Sequence, residues 1–106
     1  MKVVYIACPY TVGDVAVNVA NCFAAADLLL KHGYIPYPPL YTHFWHIISP
    51  KPYEVWMEMD FEWIRRCDCV VRLPGQSSGA DREVQYAASI GKPVFDSITE
   101  LVVHDL

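Results

Sequence analysis

The stretch CVVRLPGQSSGADREVQYAASI, residues 69–90, carries the strongest structural signal in this chain. Its first part, residues 69–73, is a short apolar run that predicts a strand, and its last part, residues 83–90, predicts a helix. The polar segment between them is then a turn at the carboxyl end of a strand, where open α/β sheets bind ligands. The turn offers backbone N–H groups and a positive helix end to an anion, and it brings the carboxylate of Glu83 beside them.

The remaining chain repeats this alternation of strand and helix. Apolar runs predict strands at residues 3–7, 34–37, 68–73 and 93–95. Helices are predicted over residues 15–32, over residues 53–66, in the segment that ends at Gly91, and after Ser97. The segment 38–52 contains four prolines and several aromatic residues, and it is predicted to be a long loop of the lid or binding type.

Strands that alternate with helices and lack a period of two predict a parallel sheet covered on both faces. The fold class is therefore α/β: one three-layer Rossmann-like or flavodoxin-like domain over residues 1–106, with a small parallel sheet of about four strands. In the first helix, helical spacing suggests that Val19, Phe23, Ala26 and Leu30 face the core. The carboxyl ends of the strands meet at one rim, which collects residues 7–11, 37–46 and 74–83.

Composition limits the function classes. The chain has 106 residues, of which 54% are hydrophobic and 19% charged, with a net charge of −4. A globular domain is expected, and binding of a nucleic-acid polymer is not, because the chain has no cluster of Lys and Arg. Apolar stretches are too short to span a membrane, and the N-terminal segment resembles a strand rather than a signal peptide. A cytoplasmic location and no membrane partner are therefore expected.

The cysteines do not form a metal-binding pattern. Cys67 and Cys69 are close in sequence, and His43 and His46 lie in the predicted loop, but no second cysteine pair completes a zinc set. The four cysteines of the chain are expected to be reduced thiols. The sequence therefore predicts no metal and no cofactor.

Three segments together resemble the nucleoside 2-deoxyribosyltransferase superfamily, including its 2′-deoxynucleotide N-glycosidase branch and related small uncharacterised domains. They are YIACPY at residues 5–10, MDFEWI at residues 59–64 and SSGADRE at residues 77–83, in the family's order. The resemblance implies that Glu83 is a nucleophile that forms a glycosyl-enzyme intermediate. It implies that Asp60 assists proton transfer to the leaving base and that Tyr5 hydrogen-bonds the nucleophile.

The resemblance also implies a substrate-binding set. Ser77 and Gly79 match the positions that hold the 5′ side of the sugar or its phosphate. The rim adds a further group of substrate-binding candidates, namely Ser78, Cys8, Pro9, Tyr10 and His43. The chain departs from the family pattern at Pro9, which stands near a small hydroxyl residue of the branches that take monophosphates. It departs again at residues 80–82, where Arg82 is predicted to pair with Asp81 or to meet a phosphate.

Chemistry supports an enzyme that cleaves or transfers the N-glycosidic bond of 2′-deoxynucleosides or their 5′-monophosphates. Such a bond breaks through an oxocarbenium-like state, for which one carboxylate captures the cation and another group protonates the base. The ligand is then a small nucleoside or nucleotide, and the family implies a homo-oligomer, a dimer or higher. Two alternatives remain: a non-catalytic nucleotide-binding or sensing module, and a ribonucleotide phosphoribohydrolase. Structural interpretations also remain, because Glu83 could be a surface residue of a helix start and Asp60 part of a solvated face.

Overall fold

The computed structural model describes residues 2–106; residue 1, which the predicted domain includes, lies outside the described residues. Strands and helices alternate along the chain as predicted. A 3-10 turn at Pro39–Thr42 and a short helix follow the second strand. The elements are β1 (Val3–Ala7), α1 (Val15–Lys31), β2 (Ile35–Tyr37), α2 (His43–Ile48), α3 (Tyr53–Arg66), β3 (Cys69–Arg72), α4 (Ser78–Ser89), β4 (Val94–Phe95) and α5 (Ile98–His104).

The strands form a parallel sheet, which within residues 2–106 has four members in the order β2-β1-β3-β4. This is the start of the flavodoxin-like order, in which the chain reverses its winding direction between β1 and β3. Pro36 lies in β2 at the edge of the sheet, where its missing N–H costs no ladder hydrogen bond. The predicted α/β fold class with a small parallel sheet is confirmed.

Two helical layers cover the sheet. Val4 and Ile6 of β1 point to one face, where they pack with buried residues of α1 and α5 such as Leu29 and Leu101. The intervening residue Tyr5 points to the other face, which is covered by α3 and α4. Because side chains alternate along a strand, neighbouring residues of β1 belong to different cores.

Polar side chains cap several of the helices. Asp14 accepts a hydrogen bond from the N–H of Val17 and caps α1, and Ser97 accepts one from Glu100 and caps α5. Helix α4 is capped by Ser77, so Glu83 lies in its second turn. Asp68 accepts the N–H of Val3 at 2.7 Å, which ties the start of β3 to the start of β1.

Two expectations about secondary structure and core faces are wrong. The segment 38–52 is not a plain loop, because residues 39–42 form a 3-10 turn and residues 43–48 form α2. In α1 the buried residues are Cys22, Ala25, Ala26 and Leu29, whereas Phe23 and Leu30 are exposed. Apolar residues surround most of this helix, so their spacing alone does not select the face that the sheet covers.

No helix among residues 2–106 combines the length and apolar character that crossing a lipid bilayer requires.

Candidate active site

A pocket of about 390 Å³ opens at the carboxyl ends of β1 and β3. This is the topological switch point of the sheet, where ligands of open α/β folds bind. The segment after β1 contributes Cys8 and Tyr10 to its wall, and the start of α4 contributes residues 77–80. Glu83 and Asp60 lie on the same wall, so the structure brings the two predicted catalytic carboxyl groups into one cavity.

Glu83 is 5% exposed and lies on the inner face of α4. The hydroxyl of Tyr5, a fully buried residue of β1, donates a hydrogen bond to Glu83 Oε2 at 2.6 Å. The Tyr5 ring is fixed by stacking on Tyr37 at 5.5 Å between centroids, and Tyr37 stacks in turn on Trp63 at 4.8 Å. Glu83 is therefore a fixed, buried carboxyl group, which contradicts the interpretation of it as a surface residue.

Asp60 reaches the same point from α3. Burial raises the pKa of Asp60 to about 6, and interactions with Glu83 and Tyr5 oppose that rise. Burial and the charge of Asp60 both raise the pKa of Glu83 well above its usual range, while Tyr5 and Arg72 act in the opposite direction. The cause is physical: two carboxylates that share a desolvated site cannot both ionise easily, so the pair retains a proton at higher pH than either group alone.

The start of α4 provides the predicted loop for a polar ligand group. Ser77 is buried, and its Oγ accepts the N–H of Ala80 at 3.1 Å. Tyr53 of α3 lies directly against the first turn of the helix, since a Cβ at Gly79 would be 3.1 Å from its hydroxyl. Ser78 and Gly79 line the pocket and carry the first backbone N–H groups of the helix, which can donate hydrogen bonds to a ligand.

The segment after β1 divides between two places. Cys8 and Tyr10 line the pocket, whereas Pro9 points away from it and lines a second, smaller cavity. Pro9 packs against Gly75, where φ is +115° and an added Cβ would lie 2.9 Å from Pro9 Cγ. Pro9 therefore fits the loop after β1 against the loop after β3, and the structure does not place it beside a ligand in the main pocket.

His43 lies at the pocket as expected from the rim, and its Nδ1 is 2.5 Å from the hydroxyl of Tyr10. The two rings meet edge to face at 5.5 Å. This contact joins α2 to the segment after β1, so the helix that the sequence did not predict forms part of the pocket wall. The neighbouring aromatic residues Tyr41, Phe44 and Trp45 do not line the pocket.

Sequence reasoning missed several pocket residues that lie on one side of α3. Tyr53, Trp56 and Met57 line the pocket together with the predicted Asp60. They have the spacing i, i+3, i+4 and i+7, which places side chains on one helix face. That pattern was available in the sequence once Asp60 was assigned to the site. Lys51 was also missed, and His46 belonged to the predicted rim but was not singled out as a binding residue.

Charged groups near the loop pair differently from the expectation. Arg82 binds Glu54 of α3 with its two terminal nitrogens, at 2.7 and 3.2 Å, rather than Asp81. Asp81 instead accepts a hydrogen bond at 3.1 Å from Arg72, which also donates to the carbonyl of Gly75 at 2.9 Å. Arg72 thereby braces the loop between β3 and α4, and its charge lies close enough to act on Glu83.

All four cysteines are buried free thiols. Burial raises the pKa of both Cys67 and Cys69 to about 11, so each keeps its proton at neutral pH. Within residues 2–106, no group of three or more His, Cys, Asp or Glu side chains is arranged to bind a metal ion.

Two solved structures that share this fold are 2-deoxyribosyltransferases. The protein from Leishmania mexicana superposes with a TM-score of 0.66 at 23% identity, over 89% of this chain and 62% of its own. The protein from Bacillus psychrosaccharolyticus superposes with a TM-score of 0.66 at 19% identity, over 97% of this chain and 80% of its own. The chain thus spans less than two thirds of the Leishmania protein. The predicted resemblance to the nucleoside 2-deoxyribosyltransferase superfamily is confirmed for the fold.

No curated protein matches this chain by sequence. A family model described as a domain of unknown function (DUF7768) matches residues 2–96. Because that match covers most of the chain, the protein belongs to the DUF7768 family, and its fold is that of the 2-deoxyribosyltransferases.

Proposed function

We propose that this protein cleaves or transfers the N-glycosidic bond of 2′-deoxynucleosides or their 5′-monophosphates through a covalent glycosyl-Glu83 intermediate. The observation that carries the proposal is that Glu83, which is buried and hydrogen-bonded to the buried Tyr5, shares the pocket with the partly buried Asp60. The shared fold of two 2-deoxyribosyltransferases supports the same class of reaction. The ligand is accordingly a small nucleoside or nucleotide, and the reaction requires neither a metal nor a cofactor.

The carboxyl pair supplies both groups that the reaction needs. A Glu83 oxygen attacks the anomeric carbon of the sugar, and the bond from that carbon to the base nitrogen breaks with its electron pair on the base. The base takes up the proton that the pair retains, with Asp60 as its donor. Water or a second base then attacks the anomeric carbon, Glu83 leaves, and the proton returns to Asp60.

The raised pKa values supply the proton that the leaving base needs. Burial brings the pKa of Asp60 to about 6 and raises the pKa of Glu83 well above its usual range, so the pair shares one proton near neutral pH, and attack by Glu83 requires that this proton lie on Asp60. Glu83 must be ionised when it attacks, and the hydrogen bond from Tyr5 and the charge of Arg72 favour that form. The two carboxyl groups also act on each other's pKa through their side chains, as expected for a nucleophile and a proton donor that serve one glycosidic bond.

The test measures free base by chromatography after incubation with deoxynucleosides and their monophosphates, with and without an acceptor base. Glu83→Gln keeps the shape and polarity of the side chain and removes the nucleophile, so turnover should fall by at least about 10⁴-fold. Glu58→Gln is the matched control, since Glu58 is exposed on α3 and does not line the pocket. Its turnover should equal that of the unmodified protein.

Acid quenching during turnover followed by intact-mass measurement tests the intermediate itself. A deoxyribosyl adduct should be present in the unmodified protein and absent in Glu83→Gln. If no substrate yields free base or an exchanged nucleoside, while one of them raises the melting temperature, the protein is a nucleotide-binding module instead. Turnover of ribonucleotides alone would indicate a phosphoribohydrolase.

A further inference from the structure

His46 and Trp56 form a hydrogen-bonded pair on the pocket wall. The indole Nε1 of Trp56 donates to His46 Nδ1 at 2.9 Å. The two ring centroids are 5.6 Å apart and the ring planes are inclined by 78°. Both residues line the pocket, one from α2 and the other from α3.

The Trp56 side is held by further contacts. The Trp45 ring meets Trp56 edge to face at 5.1 Å. The Lys51 ammonium lies over the rings of both tryptophans, 5.3 Å from the Trp45 centroid and 5.9 Å from the Trp56 centroid. Cation–π and aromatic contacts of this kind restrict the rotation of the indole. The direction in which its N–H points is therefore defined by the fold.

The bond determines where the imidazole proton is. An indole N–H can only donate, so the ring nitrogen that faces it must present a lone pair. His46 Nδ1 is that nitrogen, and the proton of the neutral ring then resides on Nε2. Among residues 2–106, the bond from Trp56 is the hydrogen bond that the His46 side chain makes. Its Nε2–H is therefore an uncommitted donor in the wall of the pocket.

The position of this donor relative to Asp60 indicates which part of a ligand it meets. Trp56 and Asp60 are four residues apart on α3, so they lie on the same face, about 6 Å apart along the helix axis. Asp60 marks the place where the leaving base receives its proton. One turn away, on the side of Trp56 and His46, is the space that the rest of that base would occupy. Met57 lies between them and gives that space an apolar floor.

We infer that His46, with its tautomer fixed by Trp56, is a specificity-determining residue that donates a hydrogen bond from Nε2 to an acceptor atom of the nucleobase. The inference rests on the proposed function, since it takes the ligand to be a nucleoside. It assigns Trp56 a positioning role: the indole does not itself recognise the acceptor but keeps the donor available. A base that presents a donor at that edge is disfavoured, because two N–H groups would then face each other.

The test separates recognition of the base from catalysis. Calorimetric titrations use Glu83→Gln protein, which cannot form the covalent intermediate, with the four common 2′-deoxynucleosides and their 5′-monophosphates. The best-bound ligand is then compared with isosteric analogues that each lack one acceptor, either a ring nitrogen replaced by C–H or a carbonyl oxygen removed. With His46 present, one analogue should bind about 2- to 12-fold more weakly than its parent, the cost of one hydrogen bond.

The same comparison in His46→Leu should show no penalty for that analogue, because the donor is gone. His46→Gln keeps a side-chain N–H and should restore part of the penalty. Trp56→Phe keeps an aromatic ring but lets the imidazole proton move to Nδ1, so the penalty should shrink while His46 remains. His32→Leu, an exposed histidine at the end of α1, is the matched control and should keep the full penalty.

An equal penalty in His46→Leu and in the control would overturn the inference while leaving the glycosyl-transfer proposal intact. If His46→Leu weakened the binding of 5′-monophosphates by the same factor for every base and left nucleoside binding unchanged, His46 would be assigned to the phosphate. That result would also overturn the inference. If no nucleoside or monophosphate binds to any variant, the proposed function fails and the inference fails with it.

Discussion

The two faces of the sheet differ in what they bury, although they share the same strands. The face covered by α1 and α5 holds aliphatic residues and thiols, such as Ile6, Leu29 and Cys22. The face covered by α3 and α4 holds Tyr5 beside the carboxyl groups of Glu83 and Asp60. Adjacent residues of β1 therefore face different cores: Ile6 packs in an apolar core, and Tyr5 packs beside carboxyl groups whose burial is unfavourable.

The difference shows how a small protein can tolerate a buried carboxyl pair. Burying a charge is unfavourable unless an opposite charge or hydrogen bonds compensate it. The carboxyl groups of Glu83 and Asp60 are stabilised mainly by the hydrogen bond from Tyr5 and by the proton that they retain. Among the described residues, the apolar face buries no carboxyl group, and burial there contributes favourably. The apolar face therefore offsets the unfavourable burial on the other face, an arrangement common where function conflicts with stability.

The largest change in the free energy of unfolding is expected from a substitution on the apolar face, which α1 and α5 cover. Leu29→Ala removes a fully buried side chain from α1 and leaves a cavity, so the free energy of unfolding should fall by about 2–5 kcal/mol. Turnover per folded molecule should not change, because Leu29 does not line the pocket. Urea denaturation and active-site titration measure the two quantities. A loss of less than about 1 kcal/mol would show that the site relaxes around the cavity.

On the face covered by α3 and α4, replacing the buried carboxyl group of Glu83 should raise the free energy of unfolding instead of lowering it. The pKa of Glu83 is raised in the folded protein, so above the usual carboxyl pKa the folded state binds more protons than the unfolded state, and stability falls as pH rises. The decline begins near pH ~4, and Asp60 adds to it up to about pH 6. Glu83→Gln removes the part of this destabilisation that comes from Glu83. The free energy of unfolding should therefore rise by about 1–3 kcal/mol at pH 7 and by much less near pH ~4.

Denaturant unfolding at both pH values checks this expectation, with Glu58→Gln as the control for an exposed carboxylate. A loss of stability at pH 7 in Glu83→Gln would mean that the carboxylate makes more favourable contacts than the structure shows, and the contrast between the two faces would weaken.

The smallest change in the free energy of unfolding is expected from removal of the Tyr5 hydroxyl, which links β1 to Glu83. Tyr5→Phe removes the hydrogen bond to Glu83 and should change the free energy of unfolding by only about 0.5–1.5 kcal/mol. The bond lowers the pKa of both carboxyl groups, so without it their pKa values rise and the acidic limb of the kcat/KM profile should move to higher pH. Tyr86→Phe removes a hydroxyl outside the pocket and should leave the profile in place. An unchanged profile in Tyr5→Phe would separate Tyr5 from the titrating pair.

Much of the fold follows from local sequence patterns. The limits of β1 and α3 are those predicted, because an apolar run ended by Cys8-Pro9 and a helical pattern ended by paired arginines leave few alternatives. The edge position of β2 follows from Pro36. Tyr5, Asp60 and Glu83 were predicted to be catalytic from the family resemblance, and the structure brings their side chains together. Their chemical roles stay predictions until turnover is measured.

The tertiary structure alone decided the contacts between distant segments. Helix α2 packs beside the pocket through the contact of Tyr10 with His43, although its short aromatic sequence and the surrounding prolines favour a loop. Pro9 lies away from the main pocket because it packs on Gly75, 66 residues later in the chain.

Sequence patterns determine local conformation and the faces of strands and helices, since both follow from steric limits and short-range periodicity. They do not determine which nitrogen of His46 carries its proton or which acid pairs with Arg82, because these depend on side chains brought near by packing of separate elements. By itself the sequence determined an α/β sheet with a polar rim. The tertiary structure decided which rim residues form one desolvated pocket, because burial and proximity arise only when the layers pack.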